Sequence, residues 1–210
     1  ILWDSLDKEY VGMLVLDPHD EYYGRNDLGL KDHQSRNNVV YYTPTNPPPG
    51  ARSLVINLST LKPEYFQGAI QLSDPQRQAL YAYHRKFGKA WIAAIIDELP
   101  IVGVRFHEDT MAVVKRKLLG LLSLDLHEGK LETGGIFSEI GGENTIKDIC
   151  RELEQGKTVI VDTSFFSGAL EVMVAGMIAS ESLSMYKRYK RSGELDSKPV
   201  ISIVLEEAPR

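Results

Sequence analysis

Hydrophobic positions in this chain fall into two textures. Some are short unbroken apolar runs; others recur every three or four residues over longer stretches. "YVGMLVLD" (Tyr10–Asp17) is of the first kind, as expected for a strand covered on both faces. "VVYYT" (Val39–Thr43), "SLVINLS" (Ser53–Ser59), "TVIVDTS" (Thr158–Ser164) and the start of the closing "VISIVLEEAPR" (Val200–Arg210) read the same way. After the first run, "EYYGRNDLGLKDHQSRN" is polar and carries the turn formers Gly24, Asn26, Asp27 and Gly29. "PTNPPPG" then predicts a stiff, extended connection, because each proline fixes φ and removes an amide donor.

The second texture runs from about Lys62 to about Asp125 and predicts helices only. Ser73, Pro75 and Gln76 form a capping-box start, followed at helical spacing by Leu80, Phe87, Trp91, Ile95 and Leu99. A second helix carries Met111, Val114, Leu118, Leu121 and Leu122 on one stripe, and a shorter one is expected near Pro63–Leu72. Together they predict a small inserted bundle over residues 62–125. Alternation returns beyond it. Ile146, Ile149, Cys150 and Leu153 share one helical face, and Gly156 is placed to end that helix. A long helix from about Ser167 to Ser192 is apolar first and basic last. Buried strands alternating with helices predict an α/β fold with a largely parallel sheet flanked by helices, built from residues 1–61 and 126–210.

Composition narrows the picture. The chain has 210 residues, 43% hydrophobic and 25% charged, enough for one sizeable core with an inserted subdomain. The best candidate for a membrane span, near Ala169–Leu183, is interrupted by Glu181, so no membrane association is expected. The lone cysteine, Cys150, cannot form an internal disulfide, which fits a reducing cytoplasm. Net charge is −5, so contact with DNA must use a local basic patch. The opening "ILWDSLDKEY" reads as the middle of a helix belonging to something longer.

Candidate chemistry gathers at strand ends. Glu206 and Glu207 follow an apolar run, the pattern of a Walker B strand. There one acid supports Mg²⁺ and its neighbour activates water; a strand simply emerging into solvent gives the same pattern. Asp17, His19, Asp20 and Glu21 sit just past the first strand, where open α/β sheets bind ligands; a polar turn is the alternative. "QGKT" (Gln155–Thr158) resembles the end of a phosphate loop, but Arg151 occupies the first glycine position. The order helix-then-strand is also reversed, so it reads as a helix stop. His33, His84, His107 and His127 lack metal-ligand spacing. Lys187, Arg188, Lys190 and Arg191 could contact phosphates or form a solvated helix end favoured by the macrodipole, and Lys115–Lys117 reads similarly.

Taken in order, "LVLDPHDEYYG", the helical insertion, "GKTVIVDTS" and "IVLEEAPR" resemble the RecA-like ATPase core of the HerA-type DNA helicases and translocases, in the HerA/FtsK superfamily. The first of these looks like that family's D-P-H-G-E-Y element. Asp20 stands at the family's glycine, and Pro209 stands where relatives often carry histidine. The resemblance implies a homo-hexameric, ATP- and Mg²⁺-dependent motor on double-stranded DNA, working with a NurA-type nuclease in end resection and recombinational repair. It implies Glu206 on the metal side, Glu207 as catalytic base, and Asp17, His19 and Glu21 lining the nucleotide pocket. It also implies that the phosphate loop and its central strand precede this sequence, so that the closing strand presents an open edge and the isolated piece is inactive. A sister motor for conjugation or DNA packaging, and a non-catalytic assembly module, are the alternatives.

Overall fold

The structure, a computed structural model, describes residues 11–127 and 130–205. The first ten residues and Glu206–Arg210, with both candidate Walker B acids and Pro209, lie outside the described residues. In chain order the elements begin with β1 (Val11–Asp17), β2 (Val39–Thr43), β3 (Arg52–Ser53) and β4 (Ile56–Asn57). Helices α1 (Asp74–Phe87), α2 (Trp91–Ile96) and α3 (Glu108–Leu122) follow. Next come β5 (Leu124–His127), β6 (Lys130–Thr133), β7 (Phe137–Ser138) and α4 (Thr145–Glu154). The chain then forms β8 (Thr158–Asp162), α5 (Gly168–Ser192) and β9 (Val200–Leu205). Two compact units result: one takes its described residues from 11–54, 144–167 and 174–205, the other from 55–143 and 168–173.

The first unit is a five-stranded parallel sheet in the order β3-β2-β8-β1-β9, flanked by helices, an α/β RecA-like arrangement. Its central strands are apolar on successive residues because both faces are covered. Leu14, Leu16, Val159 and Val161 are fully buried on one face. On the other, Val15, Ile160 and Tyr41 cluster with Tyr22, Tyr23 and Leu30. Helix α4 packs on β1 and β8 through the predicted stripe, burying Ile149, Cys150 and Leu153. It stops at Gly156, where φ is +74° and the amide donates to the Leu153 carbonyl at 3.0 Å. "QGKT" is therefore a helix stop, and its Lys157 pairs with the buried Glu152, which also accepts from Arg52 Nη2 at 2.5 Å. Cys150 Sγ lies 3.3 Å from Ser182 Oγ, and burial pushes its thiol up to about 11. Strand β9 is an edge in this sheet, with Val200 68% and Leu205 52% exposed.

The second unit is built on α1–α3. Helix α1 starts with the expected box, Ser73 N–H donating to Gln76 Oε1 at 3.2 Å, and Pro75 in the first turn. Trp91, wholly buried, donates from Nε1 to the Leu61 carbonyl at 2.9 Å and meets Phe66 edge-on at 5.7 Å. Helix α3 buries Val114, Leu118, Leu121 and Leu122. A short parallel pair, β4 with β7, and an antiparallel hairpin, β5 with β6, complete this unit. Among the described residues, no helix is long and apolar enough to cross a membrane.

Three local expectations change. The periodic run from Leu80 to Leu99 is broken: Gly88 adopts φ +55° and separates α1 from α2 by a 3-10 turn. The helix expected near Pro63–Leu72 is only a 3-10 turn, Pro63–Phe66. "SLVINLS" is not one strand. Its start pairs with β2, while Ile56 and Asn57 pair with β7. Asn57 then closes a turn, its Oδ1 accepting from Ser59 N–H at 2.9 Å and its Nδ2 donating to the Glu139 and Gly141 carbonyls.

Gly12 sets how closely α4 approaches β1. A Cβ there would sit 2.1 Å from the Leu153 carbonyl oxygen, which is backbone and cannot step aside. Gly12→Ala is expected to cost about 1–3 kcal/mol, the usual range for overpacking a filled core. Urea unfolding measures it, and an unchanged midpoint contradicts the close approach.

Candidate functional site at the carboxyl ends of the strands

Parallel pairing brings the strands' carboxyl ends to one edge of the sheet. Asp17 of β1 lies opposite Asp162 of β8, and Tyr42 of β2 lies opposite Val161. Leu205, the residue before Glu206 in sequence, lies opposite Leu16, the residue before Asp17. Ligands of open α/β sheets bind at this edge, because loops leaving there are free of the strand ladder.

Both aspartates are fully buried, and each is held by the chain's own donors. Asp17 turns back onto the loop it begins. Its Oδ1 accepts from the His19 and Glu21 amides at 3.3 and 3.2 Å, and its Oδ2 from the Tyr22 amide at 2.9 Å. Burial raises its carboxyl above the ordinary value, opposed by those three N–H groups. Asp162 Oδ1 accepts from Ser164 Oγ at 2.6 Å and Ser164 N–H at 3.0 Å, while Oδ2 accepts from Thr43 Oγ1 at 2.7 Å.

Arg25 joins three strand ends. Its Nη2 donates to Asp162 Oδ2 at 3.2 Å, Thr43 Oγ1 at 2.7 Å and the Tyr41 hydroxyl at 2.8 Å. Its Nε donates to Asp20 Oδ2 at 2.8 Å, and Nη1 reaches the Thr45 and Asn46 carbonyls. Tyr41 donates to Asp20 Oδ1 and stacks on Tyr23 with ring centroids 4.2 Å apart. Burial pushes its phenol well above the usual range, and the bond to Asp20 adds to that rise. Asp20 has φ +54°, which explains why a glycine suits this position.

The site residues expected from sequence therefore separate into three sets. Asp17 is a buried loop anchor, while His19 and Glu21 are exposed on the loop beside it. Glu206 and Glu207 lie outside the described residues. Lys187, Arg188, Lys190 and Arg191 are exposed at the end of α5, toward the amino end of β9. There Tyr186 donates to the Pro199 carbonyl, and Tyr189 and Lys198 share Glu154. That is the opposite end of the sheet from the aspartates. Sequence reading missed Arg25, Tyr41, Thr43 and Asp162. One signal was present: β8 repeats β1's pattern of an apolar run closed by aspartate.

The described residues fit part of a nucleotide site. They supply a polar wall and an exposed histidine and glutamate. Both buried aspartates already accept hydrogen bonds from the chain's own donors, and no group of three or more metal-type side chains converges among the described residues.

A parallel sheet with helices on its faces and polar loops at its strand ends is consistent with the RecA-like class of α/β core. The chain belongs to the family described as "Helicase HerA, central domain", whose family model matches residues 1–182. That places it in the HerA/FtsK-type motor family, whose members use a nucleotide and Mg²⁺. Among curated proteins, none matches the chain.

Removing Arg25 leaves buried Asp162 without its cation. Arg25→Ala is expected to cost about 1.5–3 kcal/mol, the value of hydrogen bonds to a charged group. Arg25→Lys should recover only part, since one ammonium cannot span four side-chain acceptors. Equal urea midpoints for Arg25→Ala and the parent chain contradict this.

Proposed function

We propose that the chain is the central part of an ATP-driven translocase on double-stranded DNA, acting as a homo-hexamer in the cytoplasm with a NurA-type nuclease in end resection and repair. The observation that carries this reading is the common level of the carboxyl ends of β8, β1 and β9, taken with the family match over residues 1–182. Glu206 and Glu207 follow Leu205 directly in sequence, and Leu205 is level with the strand that ends in Asp17.

In this reading Glu206 supports Mg²⁺ and Glu207 orients and activates the attacking water. Asp17 holds the loop that presents His19 and Glu21 to the nucleotide. Bound ATP and Mg²⁺ supply the phosphoryl group and the charge neutralisation. The edge position of β9, with Val200 and Leu205 exposed, supports a further strand pairing there in the longer protein. The basic run Lys187–Arg191 contributes to DNA contact.

Two outcomes follow from the carboxylate assignment and from the phosphate anchor. In the longer protein, Glu207→Gln should abolish ATP turnover while leaving ATP binding in place; unchanged turnover refutes the base. The 210-residue chain contains no G-x-x-x-x-G-K-[ST] loop, so its backbone lacks the usual phosphate cradle. Calorimetric titration of this chain with ATP should show no tight binding, and micromolar affinity overturns that part.

A further inference from the structure

A groove of about 900 Å³ runs along one side of α1 in the helical unit. Arg77, Tyr81 and Arg85 line it from α1, spaced four residues apart and so on one helix face. Arg105 and Phe106 line it from the segment that precedes α3. Three guanidinium groups thus meet one carboxylate, Asp74, which pairs with Arg77. Arg85 and Arg105 have no carboxylate partner among the described residues. In a chain with net charge −5 this concentration is a local feature, and it is separate from the strand-end site.

The rings decide what the groove fits. Tyr81 is 43% exposed, its hydroxyl accepts from Gln67 Nε2 at 2.9 Å, and it lies midway in sequence between the two α1 arginines. Those arginines stand eight residues apart, about 12 Å along the helix axis. A cationic groove with interleaved aromatic rings matches single-stranded nucleic acid, whose phosphates track the charges while unstacked bases meet the rings. A duplex keeps its bases stacked internally and gives the rings nothing to hold. An acidic peptide uses the cations and leaves Tyr81 and Phe106 idle.

We propose that this groove binds single-stranded nucleic acid, with Arg85 and Arg105 on phosphates and Tyr81 stacking on a base. The test uses the full 210-residue chain and a fluorescein-labelled oligo(dT) of about 12 nucleotides, within the usual site size of one module. Anisotropy is read across a salt series. Arg85→Ala with Arg105→Ala should weaken binding at least about tenfold. It should also lower the slope of log affinity against log salt by about 1.4, the value for two phosphate contacts on a single strand. Tyr81→Ala should cost about tenfold, and Tyr81→Phe should keep affinity because the stacking face remains. Charge reversal at Lys147, an exposed residue of α4 outside the groove, should leave this binding unchanged. Circular dichroism confirms that each variant, altered only at exposed positions, is folded. The proposal falls if the parent chain does not bind oligo(dT), or if the arginine pair leaves affinity and salt slope unaltered. It also falls if charge reversal at Lys147 weakens binding as much as the arginine pair does, or if polyglutamate binds the groove in place of the oligonucleotide.

Discussion

Strand β1 is hydrogen-bonded along its length to a parallel neighbour on each side, and the rest of the first unit depends on that double pairing. Its register with β8 sets Asp17 opposite Asp162, and its register with β9 sets Leu16 opposite Leu205. Both faces of β1 are covered, with Leu14, Val15 and Leu16 all buried, so the register matters most through the polar residues it aligns. A slip of one residue would take Asp17 out of line with Asp162, and the register fixes which residues meet at the carboxyl edge. Gly12 belongs to the same constraint. It lets the last turn of α4 rest against the strand at a distance no side chain allows.

The parts legible in the sequence are those with one dominant physical signal. Runs such as "VGMLVLD" and "TVIVD" are apolar on consecutive residues, which only a strand covered on both faces needs, and they fold as expected. Helix α4 was legible because its stripe and its terminal glycine agree. Failures came where two signals competed. Leu80 to Leu99 keeps helical spacing across Gly88, and periodicity alone outvoted the glycine that ends α1 there. "SLVINLS" looks like one strand because its composition is strand-like throughout. A side-chain turn at Asn57 and pairing with the distant β7 divide it, and neither is local information.

The candidate site shows the same limit. Asp17, His19 and Glu21 were visible because they sit together after a strand. Arg25, Tyr41, Thr43 and Asp162 are scattered over the sequence, and only parallel pairing brings them together. Polar residues on a strand's buried face look like ordinary interruptions until their partners are known. Thr43 and Asp162 are such residues, both fully buried and each bonded to the other.

Asp20 tests whether a departure from the family's glycine disturbs the site. A non-glycine residue in the left-handed region costs about 1–2 kcal/mol, and aspartate is among the residues that accept it. Against that cost stand two bonds to its carboxylate, from Arg25 Nε at 2.8 Å and from the Tyr41 hydroxyl. Bonds to a charged acceptor contribute about 1.5–3 kcal/mol each when well placed. These two are partly exposed, which reduces them, yet together they still offset the backbone term. The charge balance follows the same logic. Asp20 brings one negative charge to the strand ends, and Arg25 brings one positive charge that touches Asp20 and Asp162 alike. Left without Arg25, Asp20 would keep the Tyr41 hydroxyl and Asp162 the Thr43 and Ser164 donors, with no positive charge shared between the two carboxylates. The aspartate is therefore tolerated as half of a pair, and its charge reaches the carboxyl edge of the sheet already opposed.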